Sequence, residues 1–369
     1  MELLPFTITL VKSIIPSLLA FLMFFQKIPD MVELKNYKIS LKVIAVAYLC
    51  LGIANVMHLF AEERSQTEIS SLVSAGIYVI VSALQALLFT FSLITLIDTY
   101  YVTRKRLITQ LVPIALLGAL TIAGFVWKNQ LYLQTVIYIF AAYYFGLLIY
   151  YTFIYVSEEK KLKANMQDFF SDDESKRIAW VRIAFFSSLI IGIWVLFVIL
   201  FPKVTIIELT FSCTCMIFYP YLAFRYMNYT HDFYVLQPVV IPEEEKEPEL
   251  PLPFPTTANR IDFTQAIEEW VNNKSFIKPG ITIKELANEL NTNRTYLSNY
   301  INTNKKATFC QWLNDLRIEE AQRILRNDPN ISLKDIAQDL GYKEQATFSK
   351  QFTNITGLSP SEWRKRTHI

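Results

Sequence analysis

The chain has 369 residues, of which 53% are hydrophobic and only 18% charged, with 27 Phe, 20 Tyr and a net charge of +2. A soluble globular protein carries about 25% charged residues, so an ordinary two-domain cytoplasmic enzyme is a poor fit. Four cysteines and three histidines, scattered along the sequence, make neither a disulfide framework nor a zinc-ligand pattern, and no cofactor or metal is expected.

Apolar runs of about 20 residues come first in the chain, at 6–25, 41–60, 72–96, 107–127, 131–155, 181–201 and 206–224. A helix rises about 1.5 Å per residue, so each run can cross a hydrocarbon layer of about 30 Å. Lipid leaves no partner for an unpaired backbone group, and the runs are therefore predicted to be helices. The first run has Glu2 ahead of it and Lys12 inside it, with no small-residue cleavage pattern behind it, and reads as an uncleaved helix rather than a signal peptide.

Charge sets the direction of the seven predicted spans. The first, third and fifth connections, with Lys42 and Arg182 at the edges of the adjoining runs, carry 13 Lys or Arg and the second, fourth and sixth carry 3. That bias predicts the N-terminus outside and everything after the seventh span in the cytoplasm. The outward connections are too short to fold as sensors, so a stimulus must be read in the bilayer, at its surfaces or through a partner. Asn55 and His58, three apart on one helix face, form a candidate intramembrane polar site, with an interhelical hydrogen bond as the alternative role.

An acidic spacer is predicted over 232–260. Glu243, Glu244, Glu245, Glu247 and Glu249 stand among Pro238, Pro242, Pro248, Pro251, Pro253 and Pro255. Such a segment buries too little to offset ordering, and its prolines favour an extended, semi-rigid chain.

From residue 261 onward the apolar period becomes that of amphipathic helices. Thr282 with Glu285 forms a capping box before a helix over 283–290, and a short turn leads to a second helix over 294–302. The arrangement recurs at 333–340, Gly341 and 345–354. Leu286, Ala287 and Leu290 match Ile336, Ala337 and Leu340 at an offset of 50, whereas Leu297, Ser298 and Ile301 match Phe348, Ser349 and Phe352 at 51. The extra residue is expected in the turn. One long helix over 309–326 joins the units.

With Leu297 and Phe348 turned inward, a helical wheel puts Thr295, Ser298 and Asn299 outward in the first unit and Ala346 and Lys350 outward in the second. Gln345 stands at the leading edge of its helix. Asn299 suits adenine, Lys350 guanine and Ala346 a thymine methyl, making these six the base-reading candidates. Arg294, Lys305, Lys306, Lys343, Arg364, Lys365 and Arg366 are placed for phosphates, which position a protein without specifying sequence.

These residues give the tail its likeness. Ile336, Ala337, Gly341, Tyr342, Phe348, Ser349, Lys350 and Phe352, followed by Gly357, Ser359, Pro360, Trp363 and Arg364, resemble the DNA-binding domain of AraC-type transcriptional regulators. The linker-helix pattern of Phe309, Trp312, Leu313, Asn314, Arg317, Ala321, Ile324 and Leu325 agrees. The resemblance covers about 105 residues and implies promoter binding, usually activation, with base contacts at Thr295, Ser298, Asn299, Gln345, Ala346 and Lys350. The glycine often found before the linker helix is absent from 303–308.

The expectation is an all-α protein: seven transmembrane helices over 1–231, the linker, and a double helix-turn-helix domain over 261–369. It reads as a DNA-binding regulator in a bacterial inner membrane, not an enzyme. Its expected partners are double-stranded DNA, the lipid bilayer, RNA polymerase, a second copy of itself and an unidentified membrane or small-molecule stimulus. A transporter or receptor whose tail is only regulatory, and a constitutively anchored regulator, are the alternatives. No phosphate loop, zinc helix or nucleophile elbow supports an enzyme.

Overall fold

A computed structural model describes residues 3–63, 68–201, 205–240, 257–328 and 330–367. Among these every regular element is a helix, with one isolated bridge between Phe170 and Thr282. The chain divides into two compact units, one of residues 1–162 with 177–242 and the other of 163–176 with 243–369.

The first unit begins with α1 (Leu3–Phe25), α2 (Lys35–Glu63), α3 (Glu68–Thr95) and α4 (Arg104–Val126). It continues through the first part of α5 (Gln130–Phe169), then α6 (Ala179–Leu200), α7 (Thr205–Met227) and α8 (Thr230–Val240). Helix α2 packs on α1 and α3, α3 on α4 and α6, and α7 on α1 and α6. The helices present large apolar side chains outward as well as inward: Phe21, Ile108, Leu116, Ile190, Ile217 and Phe224 are all exposed. A helix apolar on every side is stable only where its surroundings are apolar. Among the described residues five helices, α2 to α6, are long and apolar enough to cross a membrane by length and composition. The described apolar stretch of α1, Leu10–Phe25, is shorter, and α7 carries Glu208 and Arg225.

One cluster of polar groups inside this unit is internally hydrogen-bonded. Tyr226 Oη lies 2.6 Å from Ser92 Oγ and also bonds Ser40 Oγ, which donates to the Ser92 carbonyl at 2.7 Å. Tyr37 Oη donates to the Tyr226 carbonyl at 2.5 Å. These bonds tie α2, α3 and α7 together where a bilayer would offer no substitute.

Residues 232–240, read from sequence as the start of the spacer, are helical. Phe233, Leu236, Val239 and Val240 of α8 are buried, and Asp232 pairs with Arg177 at 2.5 Å. A turn-to-turn apolar stripe outweighs the Pro238 that suggested a linker. The acidic run 241–256 lies outside the described residues.

The second unit contains α9 (Thr257–Asn272), α10 (Ile283–Glu289), α11 (Arg294–Asn304), α12 (Phe309–Asn327), α13 (Leu333–Asp339), α14 (Gln345–Thr356) and α15 (Pro360–Thr367). Helix α12 runs through its centre. Ile318, Ala321 and Leu325 of α12 share a core with Ile336, Ala337, Leu340, Tyr342, Phe348 and Phe352. Toward its N-terminus Trp312 stacks on Trp270 with centroids 5.8 Å apart. Arg317, fully buried in α12, donates from Nε to the Phe276 carbonyl and from Nη2 to the Lys278 carbonyl, both at 3.0 Å.

Candidate DNA-reading surface and a cavity in the first unit

Each helix-turn-helix unit is built by local chemistry. Thr282 and Glu285 close the expected capping box on α10, and Thr308 with Gln311 closes another on α12. Asn293 Oδ1 accepts from the Tyr296 amide at 2.8 Å, capping α11, whereas Ser332 accepts from the Lys334 amide at 3.2 Å to start α13. The turns superimpose in bonding as well as sequence. Thr292 N donates to the Ala287 carbonyl at 2.8 Å, and Tyr342 N to the Ala337 carbonyl at 2.9 Å. Asn291 and Gly341, again 50 apart, have positive φ of 50° and 77°. Helices α11 and α14 then begin 51 apart, so the inserted residue lies after the left-handed turn residue and before the second helix.

The inward faces of α11 and α14 are Leu297 with Ile301 and Phe348 with Phe352, all buried. Opposite them Thr295, Asn299, Gln345, Ala346 and Lys350 are exposed. Ser298 is half-buried and accepts from Asn302 Nδ2 at 3.3 Å. Lys305, Lys306, Lys343, Lys365 and Arg366 are exposed, and Arg294 is half-buried at the first turn of α11. Arg364 is different: its Nη2 donates to the Ile331 carbonyl at 2.7 Å, so the side chain ties α15 to the loop before α13. Sequence spacing gave its exposure no such check, because the acceptor is a backbone atom 33 residues away.

Burial pushes the Cys310 thiol up to about 12, reinforced by the nearby carboxylates of Asp172 and Asp173. It is therefore a neutral thiol at ordinary pH and a weak donor, not a nucleophile.

A cavity of about 100 Å³ lies within the first unit, lined by residues of α1, α2, α3, α5, α6 and α7. Most of its wall is apolar, with Ser82, Gln85, Asn55, Lys12 and Tyr219 among the polar members. Lys12 Nζ donates to Ser212 Oγ at 2.8 Å, and Asn55 Nδ2 donates to the Lys12 carbonyl at 2.9 Å. Tyr219 Oη is 3.4 Å from Gln85 Oε1, while the buried Gln85 Nε2 has no hydrogen-bond partner. Asn55 of α2 lines this cavity and makes, to α1, the interhelical hydrogen bond given as its alternative role. The side chain of His58 lies outside the described residues. Lys12 and Gln85, far apart in sequence, were not grouped with Asn55 beforehand.

Residues 286–366 match the family described as a helix-turn-helix domain. The chain is 40% identical over 90 residues to the raffinose operon transcriptional regulatory protein of Pediococcus pentosaceus, covering 24% of this chain and 32% of that protein. It is 29% identical over 85 residues to the Msm operon regulatory protein of Streptococcus mutans, covering 23% and 30%. It is 30% identical over 89 residues to the lactose operon transcription activator of Staphylococcus xylosus, covering 24% and 32%. The chain spans about a third of the length of these relatives. No solved structure gives a significant match. The C-terminal part of this chain is a helix-turn-helix domain of the AraC type.

Proposed function

We propose that the protein is a membrane-embedded, sequence-specific regulator of transcription with no chemistry of its own. The observation that carries the proposal is the joining, in one chain, of a paired helix-turn-helix surface to a helical unit whose outward faces are apolar. Seven spans are proposed over 1–231, with the spacer and tail in the cytoplasm as the charge bias directs. A bacterial inner membrane is the setting this implies.

On DNA, Thr295, Ser298, Asn299, Gln345, Ala346 and Lys350 read bases, while Arg294, Lys305, Lys306, Lys343, Lys365 and Arg366 hold phosphates. Arg364 is proposed to orient α15 rather than to touch DNA. The names of the relatives suggest an operon promoter as the target and activation as the outcome, which brings RNA polymerase and a second copy of the chain in as partners. The membrane cavity supports a second reading, a receptor for a small, largely apolar molecule that carries a hydrogen-bond acceptor for Gln85. That molecule would be the stimulus.

Selection of genomic fragments on the full-length protein in lipid nanodiscs tests the proposal. A common sequence motif is expected. Retention of fragments without any shared motif would refute sequence-specific reading.

A further inference from the structure

The second unit includes a segment that arrives from elsewhere in the sequence, residues 163–176, which comprise the end of α5 and part of its connection to α6. We propose that its tip, residues 169–176, is an internal stand-in for the DNA backbone: it holds the phosphate-binding groups at the starts of both recognition helices and must be displaced when DNA binds. The proposal rests on the DNA-binding reading above and adds its regulation.

The segment is anchored before it is charged. Phe169, Phe170 and Ser171 are 4%, 8% and 1% exposed. Phe170 forms an antiparallel bridge with Thr282, Ser171 N donates to the Ile281 carbonyl at 3.2 Å, and Cys310 Sγ donates to the Ser171 carbonyl at 3.2 Å. This seats the chain against the residue that caps α10.

The charges beyond the anchor meet the proposed phosphate contacts. Glu174 Oε1 lies 2.7 Å from Lys343 Nζ, and Asp172 Oδ2 lies 3.6 Å from the same ammonium. Lys176 reaches Glu344 at 3.5 Å. Lys343 and Glu344 directly precede Gln345, where α14 begins. At the other unit, the Arg294 guanidinium sits over the Phe169 ring, 4.9 Å from its centroid, at the first residue of α11. One short segment therefore engages the leading edge of both recognition helices.

Carboxylates and phosphates compete for the same ammonium, and a cation neutralised within the protein releases no counterion on reaching DNA. Asp172 has a separate task, because its Oδ1 lies 3.4 Å from Nη1 of the buried Arg317. Removing its charge would leave Arg317 short of an anion. Glu174 pairs with Lys343 at 2.7 Å and is the residue to test.

The test uses the full chain in nanodiscs and a duplex recovered from the genomic selection. Glu174→Gln is expected to tighten binding about 3- to 10-fold near 0.1 M salt and to steepen the salt slope by about one unit, as one more cation becomes available. Glu174→Lys should go further. Glu268→Gln, an equal charge change at an exposed position on α9, should leave binding within about 2-fold, because it frees no phosphate-binding group. Saturating duplex should also speed hydrogen exchange at the Ser171 amide. Unchanged affinity in Glu174→Gln, tightening shared by Glu268→Gln, or undisturbed protection at Ser171 each overturns the stand-in while leaving DNA binding in place. Failure of every form to retain any duplex overturns both.

Discussion

Gly341→Ala separates backbone strain from steric conflict, because the structure supplies its own controls. Gly341 has φ of 77°, and a Cβ built there would lie 2.2 Å from the Ile277 carbonyl oxygen and 3.0 Å from its carbon. Gly357 has the same φ of 77° with nothing within 4 Å of its Cβ position. The left-handed conformation costs an L-residue about 1–2 kcal/mol, and forcing a methyl against fixed backbone adds about 1–3 kcal/mol. Gly357→Ala should therefore cost about 1–2 kcal/mol and Gly341→Ala about 2–5 kcal/mol. The local opening free energy can be read from hydrogen exchange at the Leu340 and Tyr342 amides, which close the turn onto Ile336 and Ala337. Equal losses in the two variants, to within about 0.5 kcal/mol, would refute the claim that close approach, and not φ alone, requires glycine at 341.

Further outcomes follow from named contacts. Lys350→Ala should relax preference at one or two base pairs and cost about 1–3 kcal/mol at the preferred site, whereas Arg364→Ala should lower the stability of the unit by about 1 kcal/mol through its lost bond to Ile331, with little change in salt slope; selection and denaturation of both variants distinguish them. Arg317→Met strips the donors from Phe276 and Lys278 and one of two cationic partners from Asp172, and should destabilise the second unit by about 3–5 kcal/mol in the same denaturation assay. Hydrogen bonding from Arg323, then Lys274, holds Glu320 at about 2, below its ordinary 4.5. Its depressed value means that the stabilisation is full above about 4.5 and lost as pH falls toward about 2; Glu320→Gln should remove that part of the acid sensitivity. Reporter fusions after Phe170 and in the tail should both signal from the cytoplasm, and an external signal at either would contradict the proposed topology.

The parts of the fold that were legible beforehand are those governed by local rules. The Thr282–Glu285 capping box and a period near 3.6 placed α10 to α14 within a residue or two, since such signals act on amides a few positions away. The apolar runs fall on α1 to α7 for the same reason. What escaped depends on distant partners. The helix α8 hid behind Pro238 and an acidic neighbour, although Phe233, Leu236 and Val240 already marked a stripe. The segment 169–176 was counted only for its positive charge, while the signal lay in the adjoining Phe169, Phe170, Asp172 and Glu174: an apolar anchor followed by carboxylates. Its seat on Thr282, Cys310 and Arg317 joins positions more than a hundred residues apart, which no periodicity reports.

The segment also changes how the two units are expected to communicate. A proline-punctuated spacer suits tethering more than transmission, whereas the segment 169–176 follows directly on α5 and leads into α6. A change between those helices has a covalent path to the groups proposed to face DNA.

The central claim, that one chain holds the membrane and reads DNA, is tested most directly by crosslinking protein to DNA in growing bacteria, sedimenting the membranes and sequencing the DNA that comes down with the full-length chain. Discrete promoter fragments sharing one motif are expected in the membrane pellet, and Lys350→Ala should alter that motif without releasing the protein from the pellet. Recovery of the protein in the soluble fraction, or of DNA without a shared motif, would contradict the account.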